Sequence, residues 1–94
     1  QRLTSEAIIR RIEPHRPLPS EDFESADALV LTNDEPTRLI FTVEGVPLAW
    51  IPAGDSLSVR GMRPGVYRFA ALRPMGSIAL RYRLVAVPGQ LRVP

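Results

Sequence analysis

The 94-residue sequence contains no cysteine, and it has a single histidine, His15. Without cysteine the chain cannot form a disulfide, a thiolate nucleophile or a cysteine-ligated metal site. His15 lies between Pro14 and Pro17, where no helix or strand would orient its ring as a catalytic base. No apolar run approaches the roughly 20 residues that a membrane-spanning helix needs. These absences exclude cysteine chemistry and argue against a histidine-dependent active site.

Other catalytic and metal-binding patterns are also missing. Four acidic residues lie close together at 21–27, but their spacing differs from that of a calcium loop and no glycine stands at a sharp turn. No glycine-rich loop precedes a helix, so the common phosphate-binding pattern is absent. We therefore expect no enzyme, no cofactor and no metal site.

Lysine is absent too, so all twelve basic side chains are arginines. Residues 1–50 carry five arginines and nine acidic residues, whereas residues 51–94 carry seven arginines and only one acid, Asp55. The net charge of +2 therefore hides a strong polarity along the chain. Such polarity fits either an anionic partner or two regions of one chain that attract each other.

The N-terminal part predicts one short helix followed by an extended arm. In "LTSEAIIRRIE", residues 3–13, Thr4 fits the N-cap, and Leu3 and Ile8 fit a hydrophobic staple. Pro14 ends the helix. The stretch "PHRPLP" is then extended, and "SEDFESAD", residues 20–27, is interpreted as an acidic linker or as a short motif around Phe23. We assign residues 1–27 to this helix and arm, and residues 28–94 to the folded domain.

After Asp27 the apolar period changes to two, which is typical of half-buried strands. Glu44-Gly45 is predicted to close a tight hairpin in which Leu39, Phe41 and Val43 lie opposite Trp50, Leu48 and Val46. Pro47 then lies opposite Thr42 and cannot donate a backbone hydrogen bond. The segment Val46–Ile51 is therefore predicted to be an edge strand.

Further alternating segments follow, separated by turns that contain proline and glycine. Their predicted inward side chains are Leu57, Val59, Tyr67, Phe69, Ala71, Ile78, Leu80, Tyr82, Leu84, Leu91 and Val93. Gly61 and Gly65 bracket one of the tight connections. Short strands with turns every 8–12 residues indicate an all-β fold, a small antiparallel β-sandwich of about seven strands with a short N-terminal helix.

The stretch "FTVEGVPLAWIPAGDSLSVRGMRPGVYRFAA" resembles PEGA-type domains and the small transthyretin-like and carboxypeptidase-regulatory-like sandwiches of bacterial envelope proteins. The resemblance covers about a third of the chain and rests on turn residues. It implies a non-catalytic accessory module, placed in the periplasm or cell envelope, although a cytoplasmic location stays open. The matching positions are Gly45, Pro52, Gly54, Pro64, Gly65 and Tyr67.

The sequence leaves two classes of function open. The first is a protein-protein interaction or scaffolding module, including self-association, with Pro47, Trp50 and Ile51 on the edge strand as candidate contacts. Trp50 is either a lid on the core or an exposed anchor. The second is binding of nucleic acid or another polyanion through Arg68, Arg81 and Arg83, which alternation places on an outward sheet face. Stacking of bases would need exposed aromatic rings, whereas alternation assigns Tyr67, Phe69 and Tyr82 inward.

Overall fold

The computed structural model describes residues 4–17 and 29–94. The segment "SEDFESAD", for which a linker was predicted, lies outside the described residues, as does Leu3. Within the described ranges the chain forms one helix and eight strands. They are α1 Glu6–Arg11, β1 Arg16–Pro17, β2 Leu29–Asn33, β3 Leu39–Val43, β4 Val46–Ile51, β5 Ser56–Val59, β6 Gly65–Leu72, β7 Ile78–Val87 and β8 Gly89–Val93.

The strands form two sheets of unequal width. The five-stranded sheet has β4 at one edge, followed by β3, β6 and β7, and β1 pairs with the start of β6. The three-stranded sheet has the order β5-β2-β8. The predicted all-β class is confirmed. One pairing differs from an antiparallel sandwich, because β2 and β8 run parallel.

The core lies between these sheets and follows the predicted alternation on most strands. In β3 and β6 every second side chain is buried, and Tyr67, Phe41 and Phe69 are the largest fully buried ones. The Tyr67 hydroxyl donates a hydrogen bond of 2.6 Å to the Arg63 carbonyl, which ties the start of β6 to the turn before it. A buried hydroxyl needs such a partner, because its desolvation is otherwise uncompensated.

Helix α1 is shorter than predicted and begins one residue later. Ser5, not Thr4, is the N-cap, and its hydroxyl accepts a hydrogen bond of 3.3 Å from the Ile8 backbone N–H. Ile9 and Ile12 are buried in the core, whereas Ile8 faces solvent. The helix therefore packs against the core through Ile9 and Ile12. The predicted hydrophobic staple would instead need Ile8 to be buried.

Thr4 has a different role, at the edge of the wider sheet. Its backbone N–H donates to the Leu48 carbonyl at 3.3 Å, and its hydroxyl donates to the Pro47 carbonyl. Strand β4 is the predicted edge strand, and Thr4 covers part of that edge. Unpaired edge groups attract other strands, so this contact protects β4 from unwanted pairing.

Gly65 is required by packing. A Cβ atom at this position would lie 2.5 Å from the Pro14 Cβ atom and 2.9 Å from the Arg16 carbonyl oxygen. The arm can pair with β6 only because Gly65 has no side chain. Gly61, by contrast, has a φ of +85°, which L residues rarely adopt, so it serves the turn as predicted.

The β3–β4 hairpin confirms the predicted pairing near its turn and departs from it further along. Val43 lies opposite Val46, and Thr42 lies opposite Pro47, as the sequence predicts. A bulge then shifts the register, so that Trp50 lies opposite Ile40 instead of Leu39. A bulge reverses the faces of the residues beyond it. Trp50 consequently lies on the outer face, and it is not a lid on the core.

Asn33 is a fully buried polar residue at the end of β2. Its Nδ2 atom donates to the Thr37 carbonyl at 2.9 Å and to the Ile51 carbonyl at 2.8 Å. Its Oδ1 atom accepts from the Glu35 backbone N–H at 2.9 Å. One side chain thus joins the loop between β2 and β3 to the end of β4, with each of its polar atoms hydrogen-bonded.

Replacing this residue should destabilise the whole domain. Asn33→Ala leaves two carbonyls and one N–H without their partners, and we expect a loss of about 3 kcal/mol in the free energy of unfolding, measured by urea denaturation. Thr32→Ala is the matched control, since the Thr32 hydroxyl makes only an exposed hydrogen bond of 2.9 Å with Ser56. The control should cost below about 1 kcal/mol. Equal losses for the two variants would contradict the role given to Asn33.

Candidate functional site

Exposed apolar side chains are concentrated on one strand. Of the five large apolar side chains that are exposed in the described residues, four lie on β7 or in the turn before it. Tyr82 is 55% exposed and Met75 93% exposed. The predicted inward positions of Ile78, Tyr82 and Leu84 are therefore wrong.

Bulges in β7 explain part of this difference. Phe69 pairs with Arg83 and Ala71 pairs with Leu80, so two β7 residues, Arg81 and Tyr82, occupy the space opposite a single β6 residue. Such a bulge reverses the faces on its two sides. A strict two-residue period read from the sequence cannot detect this reversal.

The bulge places the two arginines of β7 on different faces. Arg83 shares a column with buried Phe69, so it lies on the side of the core, although its own side chain is exposed. Arg81 lines a groove of about 340 Å³ on the outer face, together with Thr42 and Ala70. The prediction that both arginines point outward is correct for Arg81 and wrong for Arg83.

The unequal width of the sheets explains the remaining exposure. Phe69 is 1% exposed, yet its cross-strand neighbour Arg83 is exposed. The limit of the core therefore runs between β6 and the middle of β7, whereas Val87 is buried and Leu80 and Val85 pack against the core. Side chains 81–84 are all exposed, whichever face they lie on. We call Ile78, Arg81, Tyr82, Arg83 and Leu84 the β7 surface.

A row of apolar side chains extends from this surface across the outer face of the sheet. The cross-strand pairs join Ile78 to Leu72, Leu72 to Ile40, and Ile40 to Trp50. The Arg38 guanidinium lies over the Trp50 ring, 4.9 Å from the ring centre. Trp50 is therefore half-buried on a sheet face and already has a cationic neighbour.

The other two predicted edge contacts differ from Trp50. Ile51 is 2% exposed, because the bulge in β4 turns it toward the core, so it is not available to a partner. Pro47 is exposed on β4, although its carbonyl is bonded to Thr4. The structure thus brings Trp50 and the β7 surface onto one sheet and removes Ile51 from the candidate contacts.

The arginines of the C-terminal half divide into two groups. Several neutralise a carboxylate of the same chain. Within the described residues, Arg81 and Arg83 pair with no carboxylate. The arginines that are paired are Arg63 with Glu13, Arg68 with Glu44, Arg73 with Glu35, and Arg92 with Asp34.

The pair between Arg68 and Glu44 also secures the β3–β4 turn. Glu44 has a φ of +48°, which is unfavourable for a residue with a side chain, and Gly45 follows with +80°. The Glu44 carboxylate accepts from the Arg68 backbone N–H at 2.7 Å and from its guanidinium Nη2 at 2.8 Å. The charge of Arg68 is thus neutralised within the turn, which leaves Arg81 and Arg83 as the arginines of the predicted site without such a partner in the described part.

The same contacts lower the pKa of Glu44. Burial of the carboxylate acts to raise the pKa, but the hydrogen bonds and the positive charge of Arg68 outweigh it, so the pKa lies below the usual 4.5. The Glu44 side chain is 12% exposed, whereas that of Arg68 is 50% exposed, so solvent screens the pair in part.

A second groove, of about 630 Å³, runs between β7 and β8, where the edges of the two sheets meet. Arg83 and Arg92 line its polar side, and Val85 and Leu91 belong to its apolar side. No acidic side chain lines this groove among the described residues. Two grooves, of about 340 and 630 Å³, therefore lie beside the β7 surface, one on each face.

Two further features bear on function. In the described residues, no cluster of three histidine or acidic side chains could hold a metal ion. The same part of the chain contains no helix of the length and hydropathy required to cross a membrane.

Comparisons with models of protein families, with curated protein sequences and with solved structures gave no match to this chain.

The Glu44–Arg68 pair predicts a pH dependence of stability. Because the folded-state pKa of Glu44 is lowered, the contribution is complete above the unfolded value of about 4.5 and is lost as the pH falls through the folded value. Glu44→Gln should therefore lower the urea midpoint at pH 7, and its difference from the unsubstituted protein should shrink below pH 4.5.

The matched control is Glu13→Gln. The Glu13 side chain is 83% exposed and lies 3.3 Å from Arg63, so its removal should change the midpoint little at any pH. The role of this pair would be refuted if Glu44→Gln lowered the urea midpoint no more than Glu13→Gln does. It would also be refuted if the effect of Glu44→Gln stayed the same below pH 4.5.

Proposed function

We propose that this chain is a non-catalytic module that binds another protein through the β7 surface. The observation that carries this proposal is the concentration of exposed apolar side chains on a single strand. Contiguous apolar surface costs free energy in water, and it marks interaction sites on folded proteins. Ile78, Tyr82 and Leu84 are 45%, 55% and 41% exposed, and they lie on one strand with two arginines.

The composition of this surface supports a protein partner. Tyrosine and arginine are enriched in the energetically important centres of protein interfaces. Tyr82 stands between Arg81 and Arg83, and Trp50 continues the apolar row on the same sheet. The two arginines have no carboxylate partner among the described residues, so a carboxylate of the partner would not compete with an ion pair of that part of the chain.

Binding of nucleic acid is the second candidate, and one specific observation favours it. The Tyr82 ring is exposed and flanked by two arginines, which is the combination that stacking on a single strand requires. Arg68 contributes less to such a site, because Glu44 neutralises it. One exposed ring and two free charges in the described part form a small platform, which favours the protein partner.

We further propose that the module belongs to a larger bacterial protein of the periplasm or cell envelope. This part rests on the resemblance to PEGA-type and transthyretin-like sandwiches at Gly45, Gly54 and Tyr67. The all-β fold with two packed sheets is compatible with that resemblance. Accessory sandwiches commonly present a sheet edge or face to a partner, and β7 presents both.

Site-specific photo-crosslinking tests the proposed function. Tyr82→p-benzoylphenylalanine should give a discrete, nuclease-resistant crosslinked protein in cells of the producing organism, because position 82 lies at the centre of the proposed contact. The matched control is the same substitution at Ile8, which is also apolar and 49% exposed but lies on α1. The control should give no such product.

The other outcomes count against the proposal in different ways. Identical products at positions 82 and 8 would show general stickiness and refute a specific surface. The absence of any product at position 82 would refute binding through β7. A product that nuclease removes would establish the second candidate and overturn the first.

A further inference from the structure

We infer that the free edge of β7 accepts an extended, acidic segment of the partner as an additional strand. This inference rests on the proposed function and specifies the chemistry of the partner. It follows from three properties of β7: an edge without a neighbour in the described residues, charges without intramolecular partners there, and an arrangement of arginines that disfavours pairing with a second copy.

The first property is the open edge. In the described part of the chain β7 pairs with β6 alone, and it is the longest strand, with ten residues. In an antiparallel sheet every second residue directs its N–H and C=O away from a given neighbour. Strand β7 therefore presents a row of backbone donors and acceptors, and such an edge is a template for strand addition.

The two edges of this sheet are protected differently, since Thr4 covers part of β4 whereas β7 carries bulges and two arginines. At the opposite side of the same sheet, Thr4 bonds to the backbone of β4, and Pro47 removes one donor. Strand β7 contains no proline and ends at Val87. Its arginines are the only charged side chains along it, and they keep the edge soluble while leaving the backbone accessible.

The second property is the charge of this edge. Residues 56–94 contain no acidic residue, so no carboxylate neighbours Arg81 or Arg83 in sequence. Arg81 lines the outer groove, and Arg83 lines the groove between β7 and β8 together with Arg92. The outer groove lies over β6, where Glu44 and Arg68 also line it, so a strand added beyond β7 would reach Arg81 from the other side. Its alternate side chains would lie on the two faces of the sheet, beside Arg81 on one face and beside Arg83 on the other. Carboxylates on that strand would then form charge-assisted hydrogen bonds with a guanidinium on each face.

The third property disfavours a second copy of this chain as the added strand. A two-fold antiparallel pairing of β7 with itself, centred on residue 81 or on residue 83, sets arginine opposite arginine. Like charges directly opposite each other destabilise a strand pair. The arginines thus select against self-pairing through the middle of β7 and in favour of an acidic strand.

Peptide selection tests this inference with the full 94-residue chain as the bait. A display library of random ten-residue peptides should yield a consensus with two acidic positions and apolar residues between or beside them. Because Arg81 and Arg83 lie on opposite faces, the two acidic positions should be adjacent or have an even number of residues between them, as in i, i+1 or i, i+3. Arg81→Glu should convert one of them to a basic residue, and Arg83→Glu should convert the other.

The matched control is the double variant Arg11→Glu/Arg16→Glu, which changes the charge of exposed arginines outside β7. It should select the original acidic consensus. The inference is overturned if the β7 variants select the original acidic consensus. It is also overturned if the control variant changes the consensus as much as the β7 variants do, because this would show a general electrostatic effect. Failure to select any peptide would overturn it as well, and so would a stable dimer in light scattering that Arg81→Glu leaves intact.

N-methylation then distinguishes strand addition from side-chain contact alone. Methyl groups on every second amide of the selected peptide block the backbone donors of one edge. One of the two methylation frames should weaken binding by about tenfold or more, since several hydrogen bonds are lost, and the other should change it little. Equal effects of both frames would exclude an added strand.

The failures of the two proposals can be told apart. If position 82 crosslinks a protein but the selected peptides show no acidic pattern and no dependence on methylation frame, the module binds through β7 in another way. If position 82 crosslinks nothing, the proposed function itself fails. The chain should also be tested with oligothymidylate. If Arg81→Glu and Arg83→Glu weaken its binding as much as they weaken binding of the peptide, the surface is assigned to nucleic acid instead.

Discussion

The unequal width of the two sheets is the constraint on which the rest of the molecule depends. Strand β6 pairs on both of its edges, with β1 and β3 on one side and β7 on the other. Its inward side chains are fully buried, whereas side chains 81–84 in the middle of β7 are exposed. A chain of this size buries a limited fraction of its surface, and here most of the large apolar side chains that are exposed in the described residues lie on β7 or in the turn before it. The same geometry that completes the core at Phe69 therefore exposes Tyr82 and Arg83.

Some arginines stabilise the fold through ion pairs, whereas those of β7 lie on the exposed surface. Arg68 stabilises a turn with an unfavourable backbone angle at Glu44, and Arg73 joins the β6–β7 turn to Glu35 with distances of 3.0 and 3.2 Å. These contacts explain much of the charge polarity, because acidic residues of the first half of the chain meet arginines of the second half. Within the described residues, Arg81 and Arg83 of β7 take no part in these ion pairs. The polarity thus reflects internal attraction along most of the fold and a separate cationic site on β7.

The fold class follows from the sequence because alternation and turn residues act locally. The period of two in β3 and β6, and the Glu44-Gly45 turn, predict the hairpin and the buried faces correctly. The bulges do not follow, since each inserts one residue without a local signal, and they reverse the faces of Trp50 and Arg83. Asn33 was missed because a polar residue at an inward position interrupts the apolar period, although its partners are supplied by distant loops. The exposure of β7 depends on the width of the opposite sheet, which is a long-range property that no ten-residue segment encodes.

The claim at the centre of this account is that β7 lies outside the core with one edge that pairs with none of the described residues. Amide hydrogen exchange resolved by residue measures this directly in the isolated protein. We expect the amides of residues 83–86, beyond the bulges of β7, to alternate, with those bonded to β6 exchanging slowly and those on the open edge exchanging at nearly the rate of an unstructured chain. Uniformly slow exchange along β7 would contradict the account, because it would mean that another strand already covers the edge.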